Sequence, residues 1–138
     1  MNLEKILVSL ILGTLIVTSV TSIYSLSTLG NTITKEEAIE ISKNSELVKE
    51  GLAIAYGISI EANYYNCQRI EQLKEWHQDE ILKNVPRDEF WEEKVPEGHT
   101  AWEIVWYIHL GVGGYLIIVI VDAEIGIMIH EELGIGMR

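Results

Sequence analysis

The side chains able to do chemistry in this chain are four histidines, one cysteine and a surplus of carboxylates. His77 and Glu80 stand three residues apart, a spacing that puts two side chains on one helix face, where they could hold a divalent ion. A lone pair of this kind is usually surface decoration, and no metal site is expected from it. His109 and His130 fall on opposite sheet faces in the register that the loop lengths imply, so they cannot share an ion. Cys67 is the only cysteine, which excludes an internal disulfide and a thiolate cluster; it reads as a half-buried bystander. The sequence holds no H-E-x-x-H, no G-x-S-x-G and no P-loop. "GVGG" at residues 111–114 runs into a strand, so no helix N-terminus is present to bind an anion.

The carboxylates crowd one short segment, where Asp88, Glu89, Glu92 and Glu93 surround Phe90 and Trp91. Such an acidic-aromatic loop could insert into a peptidase cleft or meet a basic partner. The reading that carries more weight is a solvated turn pinned by its two aromatic rings. Asp88, Glu89, Phe90, Trp91 and Glu92 are the candidate partner-binding residues. Paired acids for glycoside or proton chemistry need a shaped cleft and a fixed separation, and about 108 residues with one sheet leave little room for one. No catalytic residue and no cofactor is expected.

Two regions of different character carry these residues. Residues 6–26, "ILVSLILGTLIVTSVTSIYSL", are apolar or hydroxylic throughout, and no charge occurs between Lys5 and Lys35. Residues 1–27 read as a signal peptide, with Val20 and Ser22 placed for cleavage, or as an uncleaved membrane anchor of sufficient length. Both readings export the rest of the chain, because Lys5 is the only basic side chain ahead of the segment and positive flanks stay inside. The domain is then secreted, or held at the membrane by residues 6–26. Residues 31–138 carry essentially all of the net charge of -11. That acidity argues against nucleic acid and against docking on anionic lipid, both of which call for clustered Lys and Arg.

Within residues 31–138 the hydrophobic periodicity predicts an α+β fold: an N-terminal helix on an antiparallel sheet of about four strands ending in a β-meander, plus a second helix. Thr34 and Glu37 form a capping box, with Ile33 placed to staple against Ala38. The helix is interrupted at "KNS" and resumes at Glu46. Residues 57–65 alternate, with Ile58, Ile60, Ala62 and Tyr64 on one face and Ser59, Glu61, Asn63 and Tyr65 on the other. Helical spacing returns over residues 68–84 through Ile70, Leu73, Trp76 or His77, and Ile81, and Pro86 should stop it. Three strands come next, with Leu110 opposite Tyr115 across "GVGG". Ile104, Trp106 and Ile108 then share a face with Ile117, Val119 and Val121, and a four-residue loop "AEIG" adds Met128 and His130 to it. The opposite face, with Val105, Tyr107, Ile118 and Ile120, needs a cover, either the second helix or another molecule.

In "VDAEIG", Asp122 can accept from the turn amides ahead of it, and Gly126 can take the left-handed conformation without a Cβ penalty. That is a structural turn motif. Three islands in order, "TKEEAIEI" at residues 34–41, the Trp-bearing strand at 102–108 and "VDAEIG" at 121–126, together with the export segment, resemble the PepSY domain family. The chain departs from the family at Ile125, where the family usually has Thr, and at residues 67–98, which look like an insertion. The resemblance implies a small extracytoplasmic module without catalytic residues, of the kind that inhibits or chaperones a peptidase. The function expected is an exported binding module for a peptidase or other extracytoplasmic protein. The alternative is a cell-surface structural domain that holds a hydrophobic ligand or a second copy on the second sheet face. The sequence implies no oligomeric state.

Overall fold

The computed structural model describes residues 32–79 and 90–134. The apolar N-terminal segment, Glu80, Ile81, Pro86, Asp88 and Glu89 lie outside the described residues. No described helix is long and apolar enough to cross a membrane.

The capping box forms as its residues predict: Thr34 Oγ1 accepts from Glu37 N at 3.2 Å, and Glu37 Oε2 accepts from Thr34 N at 2.7 Å. It opens α1, Lys35–Ser42. The helix ends after two turns, where the Ser42 hydroxyl bonds back to the Ile39 carbonyl at 2.7 Å. Ser45 restarts the chain by accepting from Val48 N at 3.2 Å, capping α2, Glu46–Ile54. The strands are β1, Gly57–Tyr65; β2, Ala101–His109; β3, Gly114–Asp122; and β4, Ile127–Leu133. They form one antiparallel sheet in the order β1-β2-β3-β4. Between β1 and β2 run α3, Cys67–Asp79, and a single 3-10 turn, Trp91–Lys94. The α+β class is the expected one.

Helices α1 and α2 lie over β2, β3 and β4. Beneath them Ile104, Trp106, Ile108, Ile117, Val119 and Val121 are at most 1 % exposed. Trp106 is the largest of these, and its indole N–H donates to Ser42 Oγ at 2.9 Å. Thus the residue that ends α1 also satisfies the one polar atom of the buried ring. Gly51, inside α2, would cost helix stability if packing did not require it. A Cβ there would stand 3.0 Å from Ile108 Cγ1 and 3.1 Å from Ile117 Cδ1, so its absence lets the helix seat against the sheet.

Two details of the meander differ from the expected pairing. Ile108, not Leu110, lies opposite Tyr115, and Leu110 N instead closes the loop by donating to Gly113 O at 3.0 Å. The loop is therefore residues 110–113, one position earlier than "GVGG". The slip is two residues, an even number, so every side chain keeps its face. In β4 a bulge at Ile129 flips the phase: Met128 lies opposite Val121, but His130 lies opposite Ile120. Met128 is on the helix-covered face as expected, and His130 is on the other one. His109 and His130 thus share a face after all. Their partners on β3, Gly114 and Ile120, are six residues apart, about 20 Å along the strand, so the two rings still do not meet.

The chain itself covers the Ala101–Ile120 end of the second face, while Tyr107 and Ile118 stay half-exposed. Ile70 of α3 and Val95 pack on Ala101 and Ile120, with Tyr65, Trp91, Ile118 and Ile129 around them. Val105 and Ile120 are both buried.

Candidate functional site

An open sheet has two edges, and here they are β1 and β4. β1 pairs with β2 through all nine of its residues, from Gly57 opposite His109 to Tyr65 opposite Ala101, without a bulge. Its other side pairs with no strand among the described residues. The apolar members of its alternation lie on the helix side of the sheet, in the rows of Ile104, Trp106 and Ile108. The helices stop short of them: Ile58, Ile60 and Tyr64 are 50 %, 41 % and 46 % exposed. Tyr64 leans on Trp102, with ring centroids 5.1 Å apart. The expected inward face of this strand is therefore an open apolar ledge.

The opposite face of β1 is polar and acidic. Tyr107 O–H donates to Glu61 Oε2 at 3.1 Å. Asn63 Nδ2 donates to Glu103 Oε1 at 3.0 Å and to Glu61 Oε1 at 3.3 Å, and Ser59 Oγ lies 3.3 Å from His109 Nε2. Neither Glu61 nor Glu103 forms an ion pair with Lys or Arg among the described residues. The local negative charge is felt by two phenols. The bond to Glu61 raises the pKa of Tyr107, and burial followed by the charge of Glu103 raises that of Tyr65.

The "VDAEIG" turn is built as expected. Asp122 is fully buried, and its Oδ1 accepts from Glu124 N at 2.9 Å and Ile125 N at 3.2 Å. Gly126 has φ +66 and donates its N–H to Asp122 O at 2.9 Å. The second carboxylate oxygen has a partner that no local pattern announced: His99 Nδ1 lies 2.7 Å from Asp122 Oδ2. Thr100 adds two more ties, its carbonyl accepting from Ala123 N at 2.9 Å and its hydroxyl donating to Glu124 Oε1 at 2.9 Å.

The acidic-aromatic loop is only partly a surface feature. Phe90 stacks on His77 at 4.2 Å, and Trp91 meets Tyr65 edge-on at 5.1 Å, so both rings act as pins. Glu92 does not face solvent as expected. It is 1 % exposed, because the 3-10 turn packs against α3 and drives its carboxylate onto His77 Nδ1. His77 is accordingly half-buried and paired across to this turn, rather than decorating the surface. Cys67 is exposed rather than half-buried, with Sγ 3.2 Å from Gly98 O. His130 sits 3.0 Å from Lys94 Nζ and 3.0 Å from Glu132 Oε2. Among the described residues no group of three or more His, Cys, Asp or Glu is placed to hold a metal ion.

Sequence reasoning missed the β1 ledge because it read the alternation as one buried face and one wet face. The signal that could have found it is topological. β1 is separated from the three-strand meander by a helix and a long connection, so it joins the sheet only from outside. Comparison of the chain with protein-family models, with curated proteins and with solved structures finds no match.

Proposed function

We propose that this chain is an exported, non-catalytic binding module of PepSY-like build, which engages a peptidase or another extracytoplasmic protein. It is carried out of the cytoplasm by residues 6–26, which either are removed or remain as an anchor. What supports this reading is a junction at Ile33, where the three resembling islands meet. The Ile33 N–H, just ahead of the capped helix, donates to Ala123 O of the turn at 2.8 Å, and its carbonyl accepts from the indole of Trp102 on β2 at 3.0 Å. Gly126 lies under the same helix, within 3.5 Å (at a built Cβ) of Ile33 and Ile41. Islands distant in sequence thus stabilise one another, as the parts of one domain should.

The full chain with a C-terminal tag tests this in its own cells. Protease added outside should remove the tag from surface-stripped but unlysed cells. Affinity isolation in mild detergent should then retain an exported protein above an unrelated control of similar acidity. A tag protected until the cytoplasm is opened, or retention no better than the control, would overturn the reading.

For the ligand-carrying alternative the second sheet face offers less room than its residues suggest, because α3 and the 3-10 turn already occupy its Ala101–Ile120 end.

A further inference from the structure

We propose that the open edge of β1 accepts an extended segment of the partner as an added strand, one in which apolar residues alternate with Lys or Arg. The proposal deepens the binding-module reading and rests on it for the partner being a protein outside the cytoplasm.

The backbone supplies the first part of the argument. Alternate N–H and C=O groups of Gly57–Tyr65 point away from β2, and an unbulged strand without proline presents them in regular order. Main-chain bonding of this kind holds an extended peptide, and the side chains beside it choose which peptide. An added strand would lie about 4.8 Å outside β1, with side chains alternating in phase with its neighbour. On the helix side they would meet Ile58, Ile60 and Tyr64, each between 41 % and 50 % exposed. On the other side they would meet Glu61, with Glu103 and Tyr107 in the next row. A period-two ligand, apolar on one side and cationic on the other, complements both rows at once.

A second copy of the chain is a poorer occupant. Two β1 edges related by a two-fold axis run antiparallel, and full overlap of Gly57–Tyr65 is centred on Glu61. That places Glu61 opposite its own copy, and like charges directly opposite are destabilising. The net charge of -11 on each chain adds to the repulsion.

The test uses the full chain in detergent and a short capped peptide in which Val alternates with Lys. A peptide of the same composition in block order serves as control. Hydrogen exchange should show added protection within β1 with the alternating peptide and none with the block peptide. Ile60→Asp adds negative charge but removes an apolar contact, so it should weaken binding about tenfold, where simple charge attraction would strengthen it. Glu61→Lys should weaken binding by a similar factor, and Leu133→Asp on β4 should leave it unchanged.

Protection elsewhere, no binding, equal binding of the block peptide, or tighter binding by Ile60→Asp would each overturn the proposal. So would a wild-type dimer in native mass spectrometry that Ile60→Asp abolishes, which would make a second copy the occupant. If Ile60→Asp and wild type retain the same exported protein from cells, the binding-module reading stands and the edge assignment falls.

Discussion

The two edges of the sheet are treated differently. β4 is short, bulged at Ile129, and carries Glu131 and Glu132 near its end. Ser45, the cap of α2, donates its hydroxyl to Glu131, tying that edge to the helix layer. Bulges and charges are the usual devices that stop a strand from recruiting another. β1 has nine residues in unbroken register, a row of half-exposed apolar side chains and one charge at its centre, Glu61. On the proposal, a single carboxylate at the centre of this edge disfavours acidic or self-complementary strands and favours a basic one. The contrast is what singles out β1 as the proposed binding surface.

The largest effect should separate the covered and open parts of one sheet face. Trp106→Ala should lower unfolding stability by about 3–5 kcal/mol, because it empties a filled core and removes the indole that donates to Ser42 Oγ. Ile60→Ala on the same face should cost about 1 kcal/mol or less, because the side chain is already 41 % exposed. Urea titration of both variants measures the difference; equal losses would mean that the ledge is core.

Next come the turn variants that hold β4 in place. Asp122→Ala should cost about 2–3 kcal/mol, since it leaves His99 and two turn amides without their acceptor. Gly126→Ala should cost about 1 kcal/mol. Its new Cβ meets Ile33 and Ile41 at an ordinary 3.5 Å, so the left-handed backbone, at φ +66, sets the loss. Urea titration measures both, and a larger loss in Gly126→Ala would show that crowding dominates instead.

A smaller effect tests the two guards directly. Removing the central charge with Glu61→Val should increase self-association, read by light scattering after gel filtration. Glu132→Val should do so less, because the bulge still distorts that edge. The reverse order would mean that β4, not β1, is the edge held back by its charge.

The smallest effect is a titration. Tyr107 should ionise at higher pH than an ordinary phenol, and Glu61→Gln should bring it down, as followed by ultraviolet absorbance. The sign is set by linkage. A phenol whose pKa is raised by folding contributes stability fully present below about pH 10, its ordinary value, and lost as pH rises through the folded value. Alkaline unfolding should therefore lose one dependence on pH in Tyr107→Phe.

How much of this could be read from residues alone depends on the range of the interactions. The α1 cap, the break at residues 43–45 and the Asp122–Gly126 turn are legible because each is settled within a few residues. The faces of β2 and β3 are legible because apolar period survives a slip of two. The bulge at Ile129 is not, because a one-residue insertion leaves no mark in "IMIHEE", and it moves His130 to the other face. Glu92 is misplaced for a similar reason. Its partner His77 lies fifteen residues away on another element, and only packing of the two elements brings them together. The open ledge is not legible from alternation, which tells which side chains align and not whether a neighbour covers them; only the separation of β1 from the meander points to it.

On the proposed reading, a partner adds its chain to β1 and not to β4. A photo-crosslinking residue placed at position 60 of the full chain, and separately at position 133, tests it in intact cells. A discrete adduct with an exported protein should form from position 60 and none from position 133. An adduct from position 133 alone, or from neither position while the partner is still retained, would contradict it.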